Sequence, residues 1–282
     1  MTDFAALPAS RFTPGLYRGV SDVDYHGDTG SLSSSGARTI LAPSSPYLYR
    51  DGIDHPSAPT AAMELGTAVH TMVLGAGTPI VEIPFTDLRT KAAKEAVAEA
   101  KANGQAPLKP AEYRKVKRIA DAVRQHPGAA ALLESGEPES SIWWEDPATG
   151  LTLRARPDFL PDLPGRTIIV DLKTSQSANP ASFAKSAATF GYHVQQAWYC
   201  DGVREVGLDP DAAFVFIVVD TNPPHPVSLI QLPPAAQQLG ADRMRVAVDL
   251  YAECRATNRW PSFGNDIHTI DLPQWAYFQE IA

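Results

Sequence analysis

The sequence predicts an α/β fold: a helix, a three-strand meander, a second helix and a further strand, with helical additions. Three observations carry this. The run "LTLRARPDF" alternates apolar and polar residues and lies between two other strand-like runs. A long helical stretch from Asn179 to Gly207 follows them. Then "AAFVFIVVD" is apolar almost throughout, the pattern of a strand covered on both faces.

Taken in order, residues 1–60 are rich in Ser, Pro and Gly and read as an arm packed on a main body spanning 61–282. The arm holds one short helical candidate, "SSSGARTILA", with serine caps before it and Pro43 beyond it. In "TAAMELGTAVHTMVLGAG", Met63, Thr67, His70 and Leu74 fall at helical spacing, so a buried helix should end at Gly75 or Gly77. A helical insertion at about 86–126 follows. It reads as two amphipathic helices, 87–103 and 110–125, separated by "NGQAPLKP".

"ESSIWWED" is strand-like by its aromatic and β-branched content, and "PATG" makes the turn. In the next strand Leu151, Leu153 and Ala155 share one face, and Thr152, Arg154 and Arg156 the other. "TIIVDLK" is the third strand, and the short connections between the three predict an antiparallel meander. Asn179 caps the following helix, Pro180 opens its first turn, Gly191 breaks or kinks it and Gly207 stops it. "NPPHPVSLIQLPP" reads as a loop and edge strand, and 235–258 as a last helix.

At 282 residues and 44% hydrophobic, the chain can bury a large core as one large domain or two small ones. No apolar run approaches the roughly 20 residues of a membrane span, and the first residues lack the pattern of a signal peptide. The expectation is a soluble cytoplasmic protein without a membrane partner. With Cys200 and Cys254 alone, one chain can build neither a disulfide framework nor a four-cysteine zinc or iron–sulfur site. The net charge of −8 hides an asymmetry, because Arg89 to Arg124 carries ten Lys/Arg against four acids. That island is either a solvated helical hairpin or a surface for a polyanion.

Asp171 and Lys173 lie two apart on a strand and project to one side, with Leu172 opposite. Arg154, Arg156 and Asp158 share a parity on the neighbouring strand, although Pro157 can introduce a bulge. Simple register sets Asp158 near Asp171. Two carboxylates beside an ammonium suit a hard divalent cation, Mg²⁺ or Mn²⁺, and a phosphate that it grips. Gln195 and Tyr199, four apart, share one face of the helix after this strand, and His70 sits inside an apolar helix.

In this order, "GTAVH", "ESSIWW", "RARPDF", "IIVDLKT" and "GYHVQQAWY" resemble the PD-(D/E)XK nuclease superfamily, whose core is restriction-endonuclease-like. The resemblance is strongest to its RecE-like branch, of exonuclease VIII type, found in phages and prophages. "SLSSSGARTILAPSSPYLY", "LRTKAAKEA", "HPGAAALLESGEPESSIWW" and "RWPSFG" extend it to roughly residues 28–265.

The resemblance implies a role for each position. His70, Asp158 and Asp171 would hold the metal, with the Leu172 backbone oxygen as a further donor. Lys173 would be the catalytic lysine, and Glu139 the acid at the start of the first core strand, with Glu134, Glu137 and Glu145 as neighbouring candidates. Gln195 and Tyr199 would match the Gln-x-x-x-Tyr motif, or Gln196 would replace Gln195 in a shifted register. Arg89, Lys91, Lys94, Arg154 and Arg156 would contact DNA phosphates without sequence preference. The implied activity is Mg²⁺- or Mn²⁺-dependent exonuclease action on duplex DNA ends, 5′→3′, leaving 3′ single strands for a RecT-type annealing protein in recombination. A homo-oligomeric ring in the bacterial host cytoplasm is implied too. The rivals are a RecB-like single-strand or endonuclease without an iron–sulfur cluster, and a non-catalytic DNA-binding subunit on the same fold. No GxxxxGK[ST] loop is present for a helicase motor.

Overall fold

The structure is a computed structural model and describes residues 4–264, 266–273 and 277. The N-terminal segment forms β1 (Gly15–Tyr17), α1 (Asp22–Gly27), β2 (Leu32–Ser33), α2 (Ser34–Ile40) and α3 (Pro46–Asp54). Next come α4 (Ala61–Leu74), β3 (Ile80–Glu82), α5 (Lys91–Ala102), β4 (Ala106–Leu108), α6 (Pro110–Gln125) and α7 (Pro127–Leu132). The central strands are β5 (Gly136–Pro138), β6 (Ser141–Glu145), β7 (Thr152–Ala155), β8 (Phe159–Pro161) and β9 (Ile168–Ser175). The chain continues through α8 (Pro180–Phe190), α9 (Tyr192–Glu205), β10 (Ala213–Asp220), β11 (Val227–Ile230) and α10 (Pro234–Thr257).

The expected meander is divided between two sheets. One has the order β1-β6-β7-β2 and the other β11-β10-β9-β8-β5. A single hairpin serves both, because Pro138↔Phe159 in one sheet and Ile142↔Ala155 in the other keep the same antiparallel register. Each arm of the hairpin bends at its middle. Glu139 takes a left-handed backbone, φ 48°, and its N–H donates to the Asp158 carbonyl across the bend at 3.0 Å. On the other arm Pro157 interrupts the strand, since it has no N–H for a ladder. Beyond β9, the parallel partner β10 runs in register from Ala213↔Ile168 to Asp220↔Ser175.

Alternation along β9 and β10 divides the core. Val170 and Leu172 with Ile217 and Val219 pack against Val69 of α4 and Val116, Ile119 and Val123 of α6. Ile169 with Phe214, Phe216 and Val218 packs against α8, α9 and α10 through Phe183, Val194, Trp198 and Tyr251. The N-terminal segment, expected to hold one helix, has three and also supplies both edge strands of the four-stranded sheet. It covers the face of β7 that carries Arg154 and Arg156. Helix α4 is buried along one stripe only, since Met63 is exposed while Val69 is fully enclosed. "NGQAPLKP" is more than a linker, because β4 pairs in parallel with β3. Among the described residues no helix is long and apolar enough to cross a membrane.

Helices α8 and α9 form as the local chemistry dictates. The Asn179 carboxamide oxygen accepts from the N–H groups of Ala181 and Ser182. Gly191, at φ 67°, ends α8 and starts α9 in a conformation that costs other residues more. This corner turns α9 so that Gln195 faces β9.

Candidate active site

The site lies where the bent hairpin parts from β9. The two strands β8 and β9 share the pair Phe159↔Val170, and continuing that register would set Pro157 opposite Leu172. The chain leaves instead, and the Leu172 N–H donates to Oδ2 of Asp158 at 2.7 Å. A carboxylate thus takes the place of a ladder carbonyl. From the other side, Nδ1 of His70, on the inner stripe of α4, lies 3.5 Å from the same oxygen. The turn that ends α4 closes over Glu139: a Cβ on Gly77 would stand 3.7 Å from Glu139 Oε1.

Asp171 is 1% exposed and points toward α9. Its Oδ1 accepts from Nε2 of Gln195 at 2.5 Å. Its Oδ2 is 2.6 Å from Nζ of Lys173, an ion pair that lacks the alignment of a hydrogen bond. Tyr199, one turn beyond Gln195, is buried beside Gln195 with Asp171, Asp158 and Tyr25 near, and burial holds its hydroxyl well above the ordinary range. Gln195 thus reaches Asp171, while Gln196 is buried with its carboxamide oxygen unpartnered. Of the acids near the first strand, Glu139 is half-buried toward His70, whereas Glu134 and Glu145 are exposed and Glu137 pairs with Arg18 at 3.3 Å.

The electrostatics are one-sided. Burial, reinforced by the Asp171 charge, pushes Asp158 up to about 6 against the opposing pull of His70 and Lys173. Burial and then Asp22 raise Glu139, against Arg156 and His70. Two carboxyl groups resist ionisation here because negative charge is concentrated where water is scarce. That is the chemistry of a hard-cation site, and Asp158, Asp171 and His70 supply suitable donors. Among the described residues no three His, Cys, Asp or Glu side chains already enclose one point. Asp171 is taken by Lys173 and Gln195, and Asp158 by Leu172. Leu172 meets the site through its N–H, and its side chain lies in the opposite core.

Two expected phosphate contacts are placed otherwise. Arg154 and Arg156 are each 8% exposed. Arg154 Nη1 donates to the Asp28 carbonyl at 2.5 Å and to Ser31 Oγ at 2.8 Å. Arg156 reaches Ser141 Oγ and Asp22 Oδ1, both at 2.8 Å, and the Val20 carbonyl at 2.9 Å. Tyr25 lies under both guanidinium groups. Arg154 on β7 and Arg156 just beyond it face the N-terminal segment, so their charges hold that segment in place. Sequence reasoning missed Asp22 and Tyr25 for the same reason: nothing local ties them to a strand more than a hundred residues away. Arg89 and Lys91 are about nine-tenths exposed, with Arg89 on Asp87 and Lys91 3.8 Å from Glu95. Lys94 is exposed as well.

The mixed α/β fold, the bent hairpin and the Asp158/Asp171-Leu-Lys173 cluster together define a PD-(D/E)XK-type nuclease fold. The profile of the family described as "PDDEXK-like domain of unknown function (DUF3799)" matches residues 48–273, and the chain belongs to that family. Among solved structures, a putative exonuclease from Eubacterium rectale is similar in fold, with TM-score 0.60 and 14% identity over 94% of this chain and 100% of that one. A phage related exonuclease from Haemophilus somnus 129PT aligns at TM-score 0.34 and 14% identity, over 81% of this chain and 96% of that one. No curated protein matches the chain.

Proposed function

We propose that this chain is a divalent-metal-dependent exodeoxyribonuclease that hydrolyses phosphodiester bonds from duplex DNA ends, 5′→3′. The observation that carries the reading is the Lys173–Asp171 ion pair set beside Asp158, a half-buried carboxyl whose proton affinity is raised. An enclosed ammonium beside two carboxylates has no need of this arrangement for stability, since one ion pair suffices. The family and the putative exonuclease of similar fold support it.

Asp158, Asp171 and His70 would hold Mg²⁺ or Mn²⁺, which when bound polarises a phosphodiester and lowers the pKa of a coordinated water. Lys173 carries a charge that offsets the negative charge gathering on the phosphate oxygens. Gln195 fixes the Asp171 carboxylate, and the Leu172 N–H fixes that of Asp158. Glu139 adds a third carboxyl at the rim. The exposed basic side chains Arg89, Lys91 and Lys94 support non-specific contact with DNA phosphates. The resulting 3′ single strand would serve a RecT-type annealing protein in recombination, and a ring of copies would surround the duplex.

The test is purified protein with Mg²⁺ on linear duplex labelled at the 5′ or the 3′ end, with closed circular and single-stranded DNA beside it. Release of the 5′ label from linear duplex with circles intact is expected. Lys173→Ala should lower the rate at least about 100-fold while DNA binding persists. Rapid cutting of closed circles, or unchanged cleavage by Lys173→Ala, would overturn the reading.

A further inference from the structure

We infer that Phe190 and Tyr192, with Arg38, form a nucleobase-stacking platform beside Lys173, which holds an unpaired nucleotide next to the bond being cut. The inference deepens the nuclease reading and rests on it. Tyr192 opens α9, and its ring carries Nζ of Lys173 4.8 Å from the centroid. It lies against Phe183 at 5.6 Å and Phe216 at 5.8 Å, so its position is set by the core behind it. Phe190 closes α8 on the other side of Gly191, 5.8 Å from the Tyr192 ring. Yet Phe190 is 56% exposed. A large aromatic side chain left in water against Tyr192, the ring that carries the Lys173 ammonium on its face, has little part in the core.

The backbone holding Phe190 is unusually well fixed for an exposed side chain. Nη1 of Arg38 donates to the Phe190 carbonyl at 2.7 Å, and its Nε donates to the Ser34 carbonyl at 3.2 Å. A Cβ at Gly191 would stand 2.9 Å from Cδ of Arg38, so glycine is required there by space as well as by its φ of 67°. The corner between α8 and α9 is therefore clamped, and it presents the Phe190 ring to solvent, with Arg38 on the Phe190 carbonyl and Lys173 on the neighbouring Tyr192 ring. Every nucleobase has a π-face, and a strand bound without sequence preference is held by stacking on aromatics with Arg or Lys on its phosphates. Bases in an intact duplex are already stacked on one another. An aromatic ring at this place therefore selects a nucleotide that has left its partner, such as one at a fraying end.

The test uses DNA duplexes carrying 2-aminopurine at each of the first three positions from either end, with Ca²⁺ in place of Mg²⁺. Wild-type protein should change the 2-aminopurine fluorescence at one of these positions. Phe190→Ala should lose that change and bind the end roughly 5- to 100-fold more weakly, and Phe190→Trp should restore both. Because Phe190 is exposed, its removal leaves the core intact, which circular dichroism verifies. If Phe190→Ala gives the wild-type fluorescence change and affinity, the platform is wrong whatever the cleavage assay shows. Absence of any Mg²⁺-dependent cleavage by the wild-type protein, by contrast, would sink the nuclease reading itself.

Discussion

Asp158 shows how a single residue is fixed by its neighbours' backbones. Its carboxylate fills the position that a strand carbonyl vacates at Pro157, and it does so in a buried place shared with Asp171. With its carboxyl raised to about 6, the charge it carries at neutral pH is a cost to the metal-free fold. Asp158→Asn keeps an oxygen for the Leu172 N–H and removes that charge. In EDTA at pH 7.5 the variant should melt about 2–6 °C higher than wild type. Adding Mg²⁺ or Mn²⁺ should raise the melting temperature of wild type and leave the variant unmoved. A melting curve for the variant that still rises with Mg²⁺ would remove Asp158 from the proposed metal ligands.

At the level of elements, the close crossing of α9 and α10 decides where Gln195 and Tyr199 stand. Gly240 on α10 touches the backbone of α9: a Cβ there would lie 2.1 Å from the His193 carbonyl oxygen. Helix propensity alone favours alanine over glycine by about 1 kcal/mol. The steric term is larger and of opposite sign. Gly240→Ala should therefore destabilise the fold by about 2 kcal/mol or more, read by urea unfolding. A variant more stable than wild type would mean that the helices do not approach so closely. The sequence makes α8, α9 and their break at Gly191 legible, because a cap, a proline and a left-handed glycine are local signals. It gives no hint of which helix lies on which, since that contact joins residues far apart in the chain.

Across the whole molecule, the N-terminal segment and the bent hairpin are one structure. Asp28 accepts hydrogen bonds from Ser10 Oγ at 2.8 Å, Ser31 Oγ at 2.5 Å and the Trp143 indole N–H at 2.9 Å. Burial works to raise its carboxyl, but these bonds and the Arg154 charge together hold it below the ordinary carboxylate value. A carboxyl lowered on folding adds stability above its unfolded value of 3.8, and that share is lost as pH falls through the folded value. Asp28→Asn should therefore cost about 1–3 kcal/mol near pH 7, with the gap to wild type closing as the pH drops below about 4. A gap that stays constant down to pH 2 would show that the charge of Asp28 contributes nothing. Arg154 and Arg156 belong to the same joint, which is why they are spent inside the fold and not offered to a phosphate.

Read alone, the residues specified the main helices and central strands with most of their limits, and the alternation that sets Asp171 and Lys173 on one side of β9, but not the short elements α1, α3, α7 and β1 to β5. Those outcomes follow from short-range rules of period, capping and turn chemistry, so the residues that govern them are neighbours. The division of one hairpin between two sheets was not legible, although Pro157 marked the place. Its other half depends on the left-handed backbone of Glu139 and the hydrogen bond that joins the two bends. That Asp158 answers Leu172, that Gln195 and not Gln196 reaches Asp171, and that the N-terminal segment absorbs two arginines emerged with the packed chain. Each of these is a contact between distant parts of the chain, chosen by which buried polar groups could satisfy one another once the strands had been brought together.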